Sequence, residues 1–245
     1  MVICDESAAE LWGCPLLRTD TRLVHGNRPG KARRTTAGVL VHRRAMADED
    51  IVDVDGLLVT GPAPTAIAVA AKLSLPNALL PLDHLVRMLN PDPLGDPAGR
   101  AVVEGLVGRI PDGMRGHARA VQNLRTADAR SGSAGESLSR GQMLLLGVPL
   151  PDLQVSFPHA DGGGVDVVDF DWPSLESFGE FDGDGKYFDD ELTGGRSPRE
   201  VLRDEKLRED RVRRHRPRAA RWGWDVAMSR HRPARVLAEI GVRAA

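Results

Sequence analysis

The sequence predicts an α/β protein built from two units, residues 1–130 and 131–245. Three observations carry this. Of 245 residues, 41% are hydrophobic and 28% charged, which suffices for packed cores and lies outside the disordered range. Short β-like runs alternate with segments of helical period along the whole chain. Gly and Ser cluster at Ser131-Gly132-Ser133-Ala134-Gly135, and the composition changes on the far side.

The first unit reads as mixed α/β. Asp5 or Ser7 is placed to cap a short helix through Ala8, Ala9, Leu11 and Trp12. Three β-like runs follow at Thr21–His25, Gly38–His42 and Ile51–Thr60. The last is broken by Asp55-Gly56, a hairpin signal between apolar stretches. Pro62 and Pro64 open an Ala-rich helix to about Leu73. Leu79, Leu82, Val86 and Leu89 recur at helical spacing in a second helix from about Ala78. Prolines and glycines make Asn90–Gly99 a loop, and helices follow near Ala101–Gly108 and Arg115–Ala129.

The second unit reads α-β-β-β-α-β-α. A helix covers about Gly135–Leu146, and strands cover Leu153–Phe157, Val165–Asp171 and Leu175–Asp182. Asp161-Gly162-Gly163-Gly164 and Pro173-Ser174 are the turns. A charged helix spans about Pro198–Arg214 and stops at Pro217. A short strand, Arg218–Trp222, and a last helix, about Pro233–Ile240, complete a mixed sheet flanked by helices. Ala219 and Ala220 are weak strand formers, and Trp222 and Trp224 fall on one strand face by alternation.

The formal net charge of −2 conceals a split. Residues 1–130 carry +1, residues 131–191 carry −11, and residues 192–245 carry +8. Lysine is scarce, with four Lys against 29 Arg. No apolar run reaches the eighteen residues of a membrane span, and Met1–Glu10 lacks a signal-peptide pattern, so a cytoplasmic protein away from membranes is expected. Cys4 and Cys14 fit neither a metal motif nor a disulfide framework.

The acidic block suggests a site. Asp169 lies near the end of one strand, and Glu180 and Asp182 share a face of the next. Converging carboxylates repel one another unless a divalent cation such as Mg²⁺ sits between them. Lys186 follows three residues after a glycine and could stabilise negative charge on phosphate. Glu136, on the preceding helix, is a candidate fourth carboxylate. Asp166 and Asp171 read as strand-edge polar residues, and carboxylates in such loops are more often solvated turns. A calcium loop, Glu180-x-Asp182-x-Asp184-Gly185 with Glu191, is the other metal reading; it requires helices on both sides. The basic block, with Arg211, Arg213, Arg214, Arg218 and Arg221, suits a polyanion such as DNA beyond what ion-pair patterning requires. His159, His215 and His231 read as surface residues, and the balanced first half offers no comparable site.

Five separated segments carry a family resemblance, in order. They are Ser133-Ala134-Gly135-Glu136-Ser137, Val168-Asp169-Phe170, Gly179-Glu180-Phe181-Asp182-Gly183 with Lys186-Tyr187, Glu205-Lys206 with Glu209-Asp210, and Arg218 with Arg221-Trp222. Together they resemble the nuclease-like C-terminal domain of many actinobacterial proteins, which is similar to very-short-patch-repair endonucleases of the PD-(D/E)XK superfamily. The superfamily places lysine where Asp182 stands, with a basic residue here at Lys186. Upstream, Glu6-Ser7-Ala8-Ala9, Val54-Asp55-Gly56-Leu57 and Pro62-Ala63 resemble the middle region of AbiEi-type antitoxins of abortive-infection toxin–antitoxin systems. Such proteins usually begin with a winged helix-turn-helix, and the chain starts after the place where it would lie.

The resemblance implies Asp169, Glu180 and Asp182 as Mg²⁺ ligands, with Glu136 completing the shell. Lys186 would position water or stabilise the transition state, and the five arginines would hold the DNA backbone. The expectation is a Mg²⁺-dependent DNA endonuclease of a defence or repair-like system. The alternative is a catalytically inert antitoxin or regulator with a protein partner, because fold alone does not establish activity.

Overall fold

At Asp55-Gly56 both residues have positive φ, 51° and 82°, the geometry of a two-residue hairpin turn. The structure, a computed structural model, describes residues 1–17, 22–28, 30, 35–36, 38–183 and 198–244. The chain divides into two units, Met1–Arg130 and Ser131–Ala245. No helix among the described residues is long and apolar enough to cross a membrane.

In the first unit, β1 (Val2–Ile3) leads into α1 (Asp5–Leu11), followed by β2 (Val24–Asn27), β3 (Thr35–Thr36), β4 (Val39–His42), β5 (Ile51–Val54) and β6 (Leu57–Thr60). They form one sheet in the order β3-β4-β2-β1-β6-β5. Strand β1 pairs antiparallel with β2 and parallel with β6, while β2 and β4 are parallel. The helices α2 (Pro62–Lys72), α3 (Leu79–Leu89), α4 (Arg100–Gly108) and α5 (His117–Thr126) pack through Ala66, Val69, Leu82, Leu85, Val86, Leu106 and Leu124. Asn123 donates to the carbonyls of Ala70 and Leu73, at 2.8 and 2.9 Å, and so satisfies the end of α2. The expected cap of α1 is absent: neither Asp5 nor Ser7 caps it. The Ser7 hydroxyl instead accepts the His25 N–H at 2.9 Å, and Asp5 turns inward.

In the second unit, α6 (Ala134–Leu146) precedes β7 (Asp152–Pro158), β8 (Val165–Trp172) and β9 (Ser177–Phe181). Then come α7 (Pro198–Arg213), β10 (Arg218–Trp222), α8 (Trp224–Ala227) and α9 (Arg232–Glu239). The sheet order is β10-β9-β8-β7, an antiparallel meander with β10 added parallel to β9. This is the α/β arrangement the element order predicts, with α8 added. Helix α8 corrects one expectation: the strand ends at Trp222, and Gly223 turns the chain so that Trp224 opens a helix. Trp224 then meets Phe181 edge-on, with centroids 5.1 Å apart.

The core beneath this sheet is aromatic. Phe170 stacks on Trp222 at 5.4 Å, and the Trp222 indole donates to Ser139 at 2.8 Å. Gly179 lies under these rings, where a Cβ would meet Trp222 at 2.6 Å and Trp172 at 3.2 Å. Ala219 forms its strand despite low propensity because it packs on Phe157, Val168, Phe178 and Val212, which supply the bulk.

Candidate functional site

The acids predicted to converge are divided into two groups. In the first, Ser133 caps α6 by accepting the Glu136 N–H at 3.2 Å, and the Glu136 carboxylate accepts the Gly132 N–H at 2.7 Å. Glu136 is thus part of a reciprocal helix cap. The Gln154 amide donates to Glu136 at 2.9 Å and to Asp169 at 3.3 Å, bridging the two carboxylates. Gln154 adopts φ of 53°, a left-handed conformation rare for its type, at a gap in the β7–β8 ladder. The other Asp169 oxygen accepts the Phe181 N–H at 2.8 Å.

The second group surrounds Glu180, which is 5% exposed. Register places Arg221 beside Glu180 on the neighbouring parallel strand. One Glu180 oxygen lies 2.8 Å from Arg221 Nη2, and the other accepts from Arg208 Nη2 of α7 at 2.5 Å. Arg221 also bonds Glu205 and lies 3.7 Å from Glu209 and 4.0 Å from Asp182. Burial works against the charge of both arginines, but Glu180, joined at Arg221 by Glu205, outweighs it and holds both pKa values above the usual range.

Arranged so, these oxygens are matched by guanidinium groups and N–H donors: both Glu180 oxygens face guanidinium charge, and both Asp169 oxygens accept N–H bonds. Among the described residues, no three of Glu136, Asp169, Glu180 and Asp182 bring ligand oxygens within 4.8 Å of one another. Lys186 lies outside the described residues. So do residues 184–191 of the calcium-loop reading, whose leading element is strand β9 and not a helix.

The basic block is also largely committed. Arg211 binds Asp166 through two bonds, 2.7 and 2.8 Å, and Arg216 binds Asp171 likewise at 2.6 and 2.9 Å. Asp166 and Asp171 are therefore buried ion-pair partners, not strand-edge polar residues. The Arg211 guanidinium holds Asp166 down to about 2, and His159 contributes from 3.1 Å. Arg213 bonds Glu209 and the Pro217 carbonyl, at 2.7 and 2.8 Å. Arg214 and Arg218 are exposed and free of ion pairs among the described residues.

A cluster in the first unit went unread. Period-two alternation puts His25 and Asn27 on one face of β2, and His42 pairs with Asn27 across β4. Asp5 opens α1, separated by Cys4 alone from β1, which pairs with β2. It is 3% exposed with φ of 54°, and its carboxylate meets Arg44, His25 (3.6 Å) and His42 (3.3 Å). Burial opposes its charge, but the adjacent His25 ring and the Arg44 guanidinium hold its pKa well below the carboxylate range. Glu6 pairs with Lys72 at 2.6 Å, and burial pushes the neighbouring Cys4 thiol up to about 12. The available signal was that two predicted strands each end on a histidine.

The family model of the AbiEi antitoxin C-terminal domain matches residues 1–108. The chain is similar to that family over these residues. It is also a homologue of two Mycobacterium tuberculosis proteins, Uncharacterized protein Rv2248 of strain ATCC 25618 / H37Rv and Uncharacterized protein MT2308 of strain CDC 1551 / Oshkosh. Each is 35% identical over 203 residues, covering 83% of this chain and 67% of the relative. No solved structure matches. The Asp5 cluster lies within the AbiEi-type segment, whereas Glu180 and its arginines lie in the unit that follows.

Proposed function

We propose that this protein is an antitoxin-type binding protein of a toxin–antitoxin defence system, and that its second unit uses a nuclease-like sheet as a scaffold without hydrolysing DNA. The similarity of residues 1–108 to the AbiEi antitoxin C-terminal domain supports the toxin–antitoxin role. The single observation that carries the inert reading is the clamp on Glu180: Arg208 and Arg221 supply the positive charge that a catalytic cation would bring. The partner is a protein, the toxin of the pair, and Arg214 and Arg218 remain for phosphate contact.

Two assays test this. Purified chain with Mg²⁺ is expected to leave supercoiled plasmid intact, and coexpression is expected to relieve growth arrest by the protein encoded beside it. Nicking that disappears in Asp169→Ala and Glu180→Ala would overturn the inert reading. Arrest that persists on coexpression would overturn the antitoxin reading.

A second reading, a Mg²⁺-dependent endonuclease, is favoured by Gln154. Its left-handed backbone holds one amide between two buried or half-buried carboxylates, and strain of this kind gathers at functional sites. The same plasmid assay decides between the two.

A further inference from the structure

Three donor atoms from three elements meet at one point in the first unit. His25 Nδ1 and His42 Nε2 lie 3.2 Å apart, His42 Nε2 lies 3.3 Å from Asp5 Oδ2, and His25 Nδ1 lies 3.6 Å from the same oxygen. Ligands bound tetrahedrally at about 2.0–2.1 Å stand about 3.3–3.4 Å from one another, so the triangle has the edge lengths of one face of a zinc site. We propose that Asp5, His25 and His42 bind a divalent transition-metal ion of the zinc class.

The surroundings bear on this from both sides. Two imidazoles and a carboxylate suit zinc and its neighbours, not Mg²⁺ or Ca²⁺. Arg44 takes the other Asp5 oxygen, leaving Oδ2 turned to the histidines. Buried Asn27 fixes Arg44 in turn, through bonds of 2.9 and 2.8 Å to its carbonyl and N–H. Outer partners that orient a ligand in this way accompany metal sites. Cys4 and Glu6 offer further ligand atoms within 4.8 Å of members of the triad. Asp5 and His42 line a cavity of about 1180 Å³, through which an ion can arrive.

The opposing group is Lys72. Its ammonium lies 3.4 Å from His25 Nδ1 while paired to Glu6. It must withdraw from the histidine for metal to bind, and its side chain, 41% exposed, can do so into solvent. Lys72 is therefore a competitor whose removal tightens binding.

The test uses the full, untagged chain, stripped with EDTA and titrated with Co²⁺ followed by visible absorption, then with Zn²⁺ by calorimetry. Wild type is expected to take up one equivalent with the strong bands of tetrahedral Co²⁺, which Zn²⁺ bleaches. His25→Ala and His42→Ala are each expected to weaken binding more than about hundredfold. Lys72→Met is expected to tighten it about tenfold, by removing a like charge a few ångströms away. A purely structural cluster would leave wild type without stoichiometric metal. That result overturns the proposal, as does wild-type affinity in a folded His42→Ala protein or unchanged affinity in Lys72→Met.

Discussion

Glu180 and Arg221 lie side by side on adjacent parallel strands, Oε2 to Nη2 at 2.8 Å, and Arg208 closes the other carboxylate oxygen. Removing one partner of a buried pair strands the others. Glu180→Ala is therefore expected to lower the unfolding free energy by about 3 kcal/mol. Glu180→Gln combined with Arg221→Gln should lose clearly less than the two single changes added together. Urea denaturation of the four proteins checks this; simple additivity would refute the pairing.

Because this acidic face is neutralised from within, Mg²⁺ has nothing to stabilise. In protein already stripped of transition metal, the melting temperature should shift by less than about 1 °C when excess Mg²⁺ is added, since only a ligand that binds the native state raises it. A rise of several degrees would show that the cation displaces the guanidinium groups.

Acid should loosen the second unit through Asp166. Its folded pKa, about 2, lies below the ordinary 3.8. The stabilisation is therefore complete above about pH 4 and is lost as pH falls through about 2. After screening at the partly exposed Arg211, the contribution is about 1 kcal/mol. Asp166→Asn should show this deficit at pH 6, and the two stability curves should converge near pH 2. A constant gap would contradict the assignment.

Gly135 gives the sharpest packing prediction. A Cβ there would stand 2.0–2.5 Å from three Phe181 ring atoms. Gly135→Ala must push that ring off Trp224 and should destabilise by about 3 kcal/mol, despite the better helix propensity of alanine. A melt that matches or exceeds wild type would mean the ring yields freely.

The elements were legible because each carries a local signature. Asp55-Gly56 declares its hairpin, Pro62 and Pro64 open a helix, and Pro217 ends one. The site was less legible, because it depends on which charges find each other. The −11 and +8 blocks suggested a metal opposite a phosphate binder. In the fold they largely satisfy each other: Arg211 reaches Asp166, Arg216 reaches Asp171, and Arg208 and Arg221 reach Glu180. Partners 45 residues apart leave no spacing to read. The Asp5 cluster stayed hidden for the same reason, since strand pairing, not sequence proximity, brings His25 and His42 to one face.

The aromatic floor of the second sheet also divides the molecule optically. Of four tryptophans, Trp172, Trp222 and Trp224 belong to the second unit, and Trp12, whose indole bonds the Thr60 carbonyl, belongs to the first. Intrinsic fluorescence therefore watches the second unit mainly. Replacing Trp12 by phenylalanine would leave an emission signal that reports on Ser131–Ala245 alone, with no dye attached.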